Sequence, residues 1–236
     1  MTEPLKNNAD APIGIFDSGV GGLTVARAVI DQLPNESILY VGDTARGPYG
    51  PLPIAEVRAN ALGVMDELVD SGVKLLVIAC NTATAAAVKD VRAAYPELIV
   101  IGIEPALKVA ADQYPGGRIG VMATEVTLRE EKFDTLLHRF HENCSVAKIP
   151  MPGLVQLVEA GKMGTPEMDD LLRSLLTPYI GRLDAVVLGC THYPFVKETL
   201  GKILGEKPQL LDGGAGTARQ TKRCLEQAGL LNPGPG

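Results

Sequence analysis

No run of Lys and Arg long enough to grip a polyanion occurs in this chain, whose formal net charge is −6. Nucleic acid is therefore not an expected partner. Long apolar runs are also missing. The stretch Leu75 to Cys80 is among the longest, far short of the roughly twenty residues that span a bilayer. The leading MTEPLKNNADAP is polar and lacks the apolar core of a signal peptide, so no membrane partner and a cytoplasmic location are expected. The cysteines Cys80, Cys144, Cys190 and Cys224 form no C-x-x-C pair, which argues against a zinc ribbon or a thioredoxin-type centre. In a reducing compartment they are expected as free thiols. Neither G-x-x-x-x-G-K-[ST] nor G-x-G-x-x-G occurs, so nucleotide binding has little support.

What is present is a soluble globular composition, 46% apolar and 21% charged, over 236 residues. That length suits one large α/β domain or two small ones. Short Val/Ile-rich runs predict strands at Ile13–Phe16, Ile38–Val41, Leu75–Ala79, Leu98–Ile103, Arg118–Met122, Ser145–Ile149, Asp184–Leu188 and Gln209–Leu211. Between them lie helical patterns. Ile54, Val57, Ala61, Met65, Leu68 and Val69 recur near a 3.6-residue period, as do Leu128, Phe133, Leu136, Leu137 and Phe140. Strands without polar alternation, separated by helices, predict an α/β fold of mostly parallel sheets covered on both faces. Ligands in such folds bind beyond the carboxyl ends of the strands.

An internal repeat sharpens this expectation. VKLLVIACNT (Val73–Thr82) aligns without gaps on LDAVVLGCTH (Leu183–His192), and IGIFDS (Ile13–Ser18) lies over IGVMAT (Ile119–Thr124). Two similar halves would place Cys80 and Cys190 at equivalent strand ends, meeting across one cleft if the halves face each other.

Each thiol sits among polar neighbours. Cys80 precedes Asn81-Thr82, which can cap a helix over Ala83–Val91, and a thiol at a helix N-terminus is expected to ionise more readily. Cys190 precedes Thr191 and His192, whose imidazole can exchange protons with it. Such thiols serve as metal ligands, redox centres, nucleophiles or proton carriers, or simply as small buried residues. Cys144 and Cys224 are assigned the last role. His138 and His141 fall on a polar helical stretch and are expected at the surface, with metal binding the lesser alternative. FDSGVGGLT (Phe16–Thr24) is a Gly-rich strand-to-helix turn that puts Asp17 and Ser18 at a strand end. GDTARGPYG (Gly42–Gly50) reads as a binding loop. Thr124 and Thr127 suggest helix capping, with ligand contact as the sharper alternative, and Glu159 reads first as a surface residue.

Two thiols in equivalent places suit a two-base racemase, in which one removes an α-proton and the other returns a proton on the opposite face. A hydrolase or transferase leaves the second thiol unexplained. In sequence the chain resembles the glutamate racemases of the aspartate/glutamate racemase superfamily. The matching motifs are IGIFDSGVGGLTV, YVGDTARGPYG, VIACNTATA, IGVMATEVT and VLGCTHYPF, in order from Ile13 to Phe195. The resemblance implies two pseudo-symmetric flavodoxin-like domains, residues 1–103 plus 207–236 and residues 104–206, with the active site between them. It implies interconversion of L- and D-glutamate for peptidoglycan, with no pyridoxal phosphate or metal. Cys80 then acts on the D-enantiomer with Asp17 assisting, and Cys190 on the L-enantiomer with His192 assisting. Asp17, Ser18, Pro48, Tyr49, Gly50, Asn81, Thr82, Thr124, Thr127, Thr191 and His192 match substrate contacts, and Asp43 and Glu159 match acidic positions nearby. A homodimer is expected. Aspartate racemisation, or non-catalytic binding to DNA gyrase, are the alternatives the resemblance leaves open. The chain departs from the family at Met151-Pro152 (often Cys-Pro), at Gln156 (often Pro) and at Asp212-Gly213-Gly214. Relatives usually run on past LLNPGPG with a further strand and helix that finish the first domain.

Overall fold

The computed structural model describes residues 8–129, 131–138, 140 and 143–234, so most of the leader and His141 lie outside the described residues. The chain divides into two compact units. One comprises residues up to Glu104 and those from Gly214 onward, the other Pro105–Gly213.

The first unit runs β1 (Ile13–Asp17), α1 (Leu23–Gln32), β2 (Ile38–Gly42), α2 (Ile54–Asp70), β3 (Leu75–Ile78), α3 (Asn81–Ala94) and β4 (Ile99–Gly102). Its sheet is parallel, in the order β2-β1-β3-β4. The second unit runs α4 (Leu107–Gln113), β5 (Arg118–Ala123), α5 (Glu125–Arg129), α6 (Glu131–His138), β6 (Ser145–Pro150), α7 (Leu154–Glu159), α8 (Pro166–Leu176), β7 (Ala185–Leu188), α9 (Lys197–Leu204) and β8 (Gln209–Asp212). Its sheet is also parallel, ordered β6-β5-β7-β8. The last helix, α10 (Gly214–Ala228), belongs to the first unit and packs along α1 and β4.

The two sheets share one strand order, the first four strands of the flavodoxin-like arrangement. The order reverses between β1 and β3 in one unit and between β5 and β7 in the other. Those switch points are where α/β sheets present ligand crevices.

The central strands β1, β3, β5 and β7 read as nearly unbroken apolar runs because both faces of each are buried. In β3, Leu76 and Ile78 join one core while Leu75 and Val77 join the core on the opposite face. In β7, Val186 and Leu188 divide from Ala185 and Val187 in the same way. Full burial of one such side chain is worth about 1.5–3 kcal/mol. The repeat extends to a packing detail. A Cβ on Gly14 of β1 would come within 3.0 Å of Val73 and Leu76, and one on Gly120 of β5 within 2.7 Å of Leu183. At both positions the neighbouring apolar side chains use the space a side chain would need.

One expectation shifts. The resemblance implies that the segment 207–236 belongs whole to the first domain, but β8 pairs with β7 in register Ala185↔Gln209, so the return begins at Gly214. A four-residue strand carries no sequence mark of which sheet it will join. The helical pattern from Leu128 to Phe140 falls largely on α5 and α6. Leu128 and Phe133 are buried with Leu137 and Phe140 against them, and the side chain of Leu136 lies outside the described residues.

The end of the first unit remote from the strand carboxyl ends is tied by one buried ion pair. Lys74 Nζ lies 2.5 Å from Glu36 and donates to the carbonyls of Ala9 and Leu230. Glu36 in turn accepts from the N–H of Asn232 at 2.9 Å. Both ends of the described chain are thereby held to the base of β3. Among the described residues, no helix is long and apolar enough to cross a membrane.

Candidate active site

Cys80 follows β3 after a single residue, Ala79, and α3 begins at the next residue. Its backbone is extended (φ −69, ψ 120) and it is itself the N-cap: Sγ accepts the Ala83 N–H at 3.4 Å. Asn81-Thr82 were expected to cap; instead both are buried inside the first turn. Sulfur is a weak acceptor, so this cap holds the thiol's orientation more than it stabilises the helix. Ser18 Oγ lies 3.5 Å from Cys80 Sγ. Asp17, at the end of the adjacent β1, is fully buried and accepts the Gly19 N–H at 3.2 Å.

The expected easy ionisation of Cys80 is overturned. Burial, and next the negative charge of Asp17, push the thiol up from an ordinary 9 to about 11, against the hydrogen bonds from Ser18 and Ala83. The helix N-terminus is present, but desolvation of the thiolate outweighs it. A cation brought next to Asp17 would cancel that carboxylate's effect.

Asn81 Oδ1 is buried and finds no hydrogen-bond partner among the described residues. Thr84 Oγ1 is committed to the Ile78 carbonyl at 3.1 Å. The loop after β2 is braced from within. Tyr49 is buried against Phe16, with ring centroids 6.1 Å apart, and its hydroxyl donates to Asp43 Oδ2 at 2.5 Å. Burial and that bond hold the phenol well above its ordinary range. Arg46 Nε pairs with the same carboxylate at 2.8 Å. Asp43 thus holds the loop, with Tyr49 buried between the half-buried Pro48 and Gly50.

Cys190 follows β7 in the second unit. Gly189, just before it, donates to the Met122 carbonyl at 2.7 Å, and a Cβ there would lie 2.9 Å from that oxygen. His192 is buried, with Nδ1 3.7 Å from Cys190 Sγ and 3.5 Å from Thr191 Oγ1. Its Nε2 lies 2.5 Å from Glu159 Oε1, at the end of α7. The pair fixes the ring. When Nε2–H donates to the carboxylate, Nδ1 offers its lone pair toward the thiol. Glu159, read from sequence as a surface residue, is therefore a partner of His192. Its signal was faint: a carboxylate closing the otherwise apolar helix LVQLVE.

Thr124 directly follows β5, the neighbour of β7, and Thr127 lies in the α5 turn that comes next. Thr124 Oγ1 accepts the Thr127 N–H at 3.3 Å, and the two hydroxyls lie 3.0 Å apart. The capping reading is met in the buried interior. All four cysteines are free thiols. Cys144 is held by the Phe140 carbonyl, Cys224 lies on α10 beside Gln220, and His138 is exposed. Sequence reasoning missed Arg46 and Tyr40; the latter donates to the Gly19 carbonyl at 2.6 Å.

Within the first unit, Asp17, Ser18, Cys80 and Asn81 cluster at the β1/β3 switch point. Within the second, Thr124, Cys190, Thr191, His192 and Glu159 cluster at the β5/β7 switch point. Residues 21–221 match the Asp/Glu/hydantoin racemase family. A glutamate racemase of Clostridium perfringens is 46% identical over 96% of this chain and 86% of its own. The solved glutamate racemase of Bacillus anthracis superposes with a TM-score of 0.88 at 35% identity, over 96% of this chain and 86% of that one. The Francisella tularensis enzyme, solved in complex with D-glutamate, gives 0.84 at 31% identity, over 97% and 85%. By likeness along nearly its whole length, in sequence and in fold, the chain belongs to the Asp/Glu/hydantoin racemase family, among the glutamate racemases.

Proposed function

We propose that the chain interconverts L- and D-glutamate by two-base proton transfer, Cys80 serving the D-enantiomer and Cys190 the L-enantiomer. The observation that carries the proposal is the pair of strand-end thiols at matching positions of two sheets of one order, each with its own proton-handling partners. A base on one face of a carbon and an acid on the other need no leaving group and no covalent intermediate. The carbanion-like transition state is stabilised by polar donors in a water-poor site. The relative solved with D-glutamate supports the choice of substrate.

In this reading the substrate's ammonium group lies near Asp17 and offsets the charge that disfavours the Cys80 thiolate. The carbonyl oxygen of Asn81, without a hydrogen-bond partner among the described residues, accepts one of its N–H groups. On the other side His192 takes the Cys190 proton through Nδ1 while Glu159 steadies the imidazolium. Thr82, Thr124, Thr127 and Thr191, with the backbone of residues 48–50, bind the carboxylates. The product would supply D-glutamate for the cell wall, and a homodimer belongs to the same reading.

The test is deuterium incorporation at the α-carbon of each glutamate enantiomer in heavy water, with circular dichroism following both glutamate and aspartate. Exchange into both glutamate enantiomers is expected. Cys80→Ala and Cys190→Ala should each lower racemisation by about a thousandfold or more, the range for a lost proton carrier. Normal racemisation by both variants sinks the mechanism, and a preference for aspartate sinks the choice of substrate.

A further inference from the structure

We infer that Tyr40 is a positioning residue for the Cys80 half of the reaction, acting through the Gly19 peptides and Ser18. The inference rests on the racemase reading above.

Tyr40 lies on β2, paired across from Ile15 of β1, with its ring partly buried against the core formed by Ile13, Ile15 and Val25. Its hydroxyl donates to the Gly19 carbonyl at 2.6 Å. The N–H of the same residue donates to Asp17 Oδ2 at 3.2 Å. Both peptide groups flanking Gly19 are therefore anchored, and the first of them carries the carbonyl of Ser18. The Ser18 hydroxyl stands 3.5 Å from Cys80 Sγ. The path from phenol to thiol is thus a short run of bonds and hydrogen bonds.

The slot that admits the phenol is made by two glycines. A Cβ on Gly22 would lie 2.9 Å from the Tyr40 hydroxyl and 2.4 Å from Asp17 Cβ. A Cβ on Gly42 would lie 2.8 Å from the Gly19 carbonyl oxygen and 3.2 Å from Tyr40 Cε1. No positive φ is recorded at either glycine, so it is space, not backbone conformation, that requires them. The Gly-rich turn that puts Asp17 and Ser18 at a strand end thus also lets a tyrosine reach the peptide behind the serine.

The functional consequence follows from what Ser18 does. Its hydrogen bond favours the Cys80 thiolate against the burial that opposes it. Proton transfer is sensitive to displacements well under an ångström. Without the phenol, the Gly19 carbonyl loses its partner and Ser18 loses one of its restraints. The Cys190 half holds its own partners, Thr191, His192 and Glu159, through separate contacts.

Tyr40→Phe keeps the ring and removes the hydroxyl. The expected result is a fall of about tenfold in kcat with little change in KM. The primary isotope effect with α-deuterated D-glutamate should increase, and that with α-deuterated L-glutamate should not. Gly42→Ala pushes on the same carbonyl from the other side without touching the hydroxyl, and should give the same one-sided signature. Tyr95→Phe, which loses a surface bond to Asp66, should leave all rates unchanged. Wild-type kinetics for both Tyr40→Phe and Gly42→Ala, or isotope effects that rise equally with both enantiomers, would overturn the inference. Absence of α-exchange by the unmodified enzyme with either enantiomer would instead overturn the reading on which it rests.

Discussion

Cys80 and Cys190 end equivalent strands, yet their surroundings diverge within three residues. After Cys80 the chain enters a fourteen-residue α-helix: the Ala83 N–H reaches Sγ, and the Thr84 N–H bonds the Cys80 carbonyl at 2.9 Å. After Cys190 the position matching Thr84 is Pro194, which has no N–H to give. That half begins with a short 3-10 turn, Tyr193–Val196, and the Tyr193 N–H goes to the Cys190 carbonyl at 3.1 Å. The fold places both thiols alike, and local sequence then gives each a different chemistry. One thiol is held by a carboxylate, a hydroxyl and a helix start; the other by an imidazole with its own carboxylate. A racemase handles two mirror-image substrates with L-residues only, so its two bases need not be copies of each other.

Removing the charge that distinguishes the first half should have the largest effect. Asp17→Asn takes away the carboxylate that raises the Cys80 thiol, so the thiol should ionise at lower pH and alkylate faster near pH 8 in the substrate-free enzyme. Racemisation should nonetheless fall by about a hundredfold, as expected when a group assisting proton transfer is lost. Reactivity up and turnover down would separate the two roles; both falling together would remove Asp17 from the tuning of this thiol. The sign for stability is fixed as well. A thiol raised from 9 to about 11 by folding contributes stability that is complete below pH 9 and is lost as pH rises through about 11. In Asp17→Asn that alkaline window should narrow, which pH-dependent urea melts can follow.

Glu159→Gln probes the second half. It retains a side-chain carbonyl for His192 Nε2 but removes the charge that stabilises the imidazolium. A hydrogen bond to a charged group is worth about 1.5 kcal/mol, or roughly tenfold in rate. The loss should fall on α-proton removal from L-glutamate, with a larger isotope effect there, the mirror of the Tyr40→Phe signature. An equal change with both enantiomers would mean that His192 does not serve Cys190 alone.

The elements of the fold were legible because the central strands β1, β3, β5 and β7 are largely apolar runs buried on both faces, a pattern that survives without long-range information. The sheet that β8 joins was not, since four residues behind Pro208 carry no partner preference. The pair of cysteines was legible through the repeat. Their tuning was not: Cys80 as its own helix cap, and the bond from His192 to Glu159 thirty-three residues away, depend on packing between elements. The same holds for Tyr40, whose role is set by two missing side chains, at Gly22 and Gly42, rather than by any polar signature of its own.

The smallest expected effect tests the asymmetry at Tyr193, which occupies the place of Ala83 in the alignment of the halves. Tyr193 is fully buried, and its hydroxyl has no hydrogen-bond partner among the described residues. Burial holds that phenol well above its ordinary range, so it is neutral and serves no charge. The ring fills the core beside Cys190 with Met122, Leu154 and Val158, where burial separates the oxygen from bulk solvent. Tyr193→Phe keeps the packing and removes the unpaired group, so it should stabilise the fold by about 1 kcal/mol. For a chain of this size that is a rise in Tm of about 2–4 °C. Racemisation should stay within about twofold, because the hydroxyl makes no hydrogen bond to any of the groups assigned to proton transfer. A lower Tm would mean that the hydroxyl has a partner, such as an ordered water; loss of turnover without loss of stability would make it part of the Cys190 machinery and deepen the contrast with Ala83.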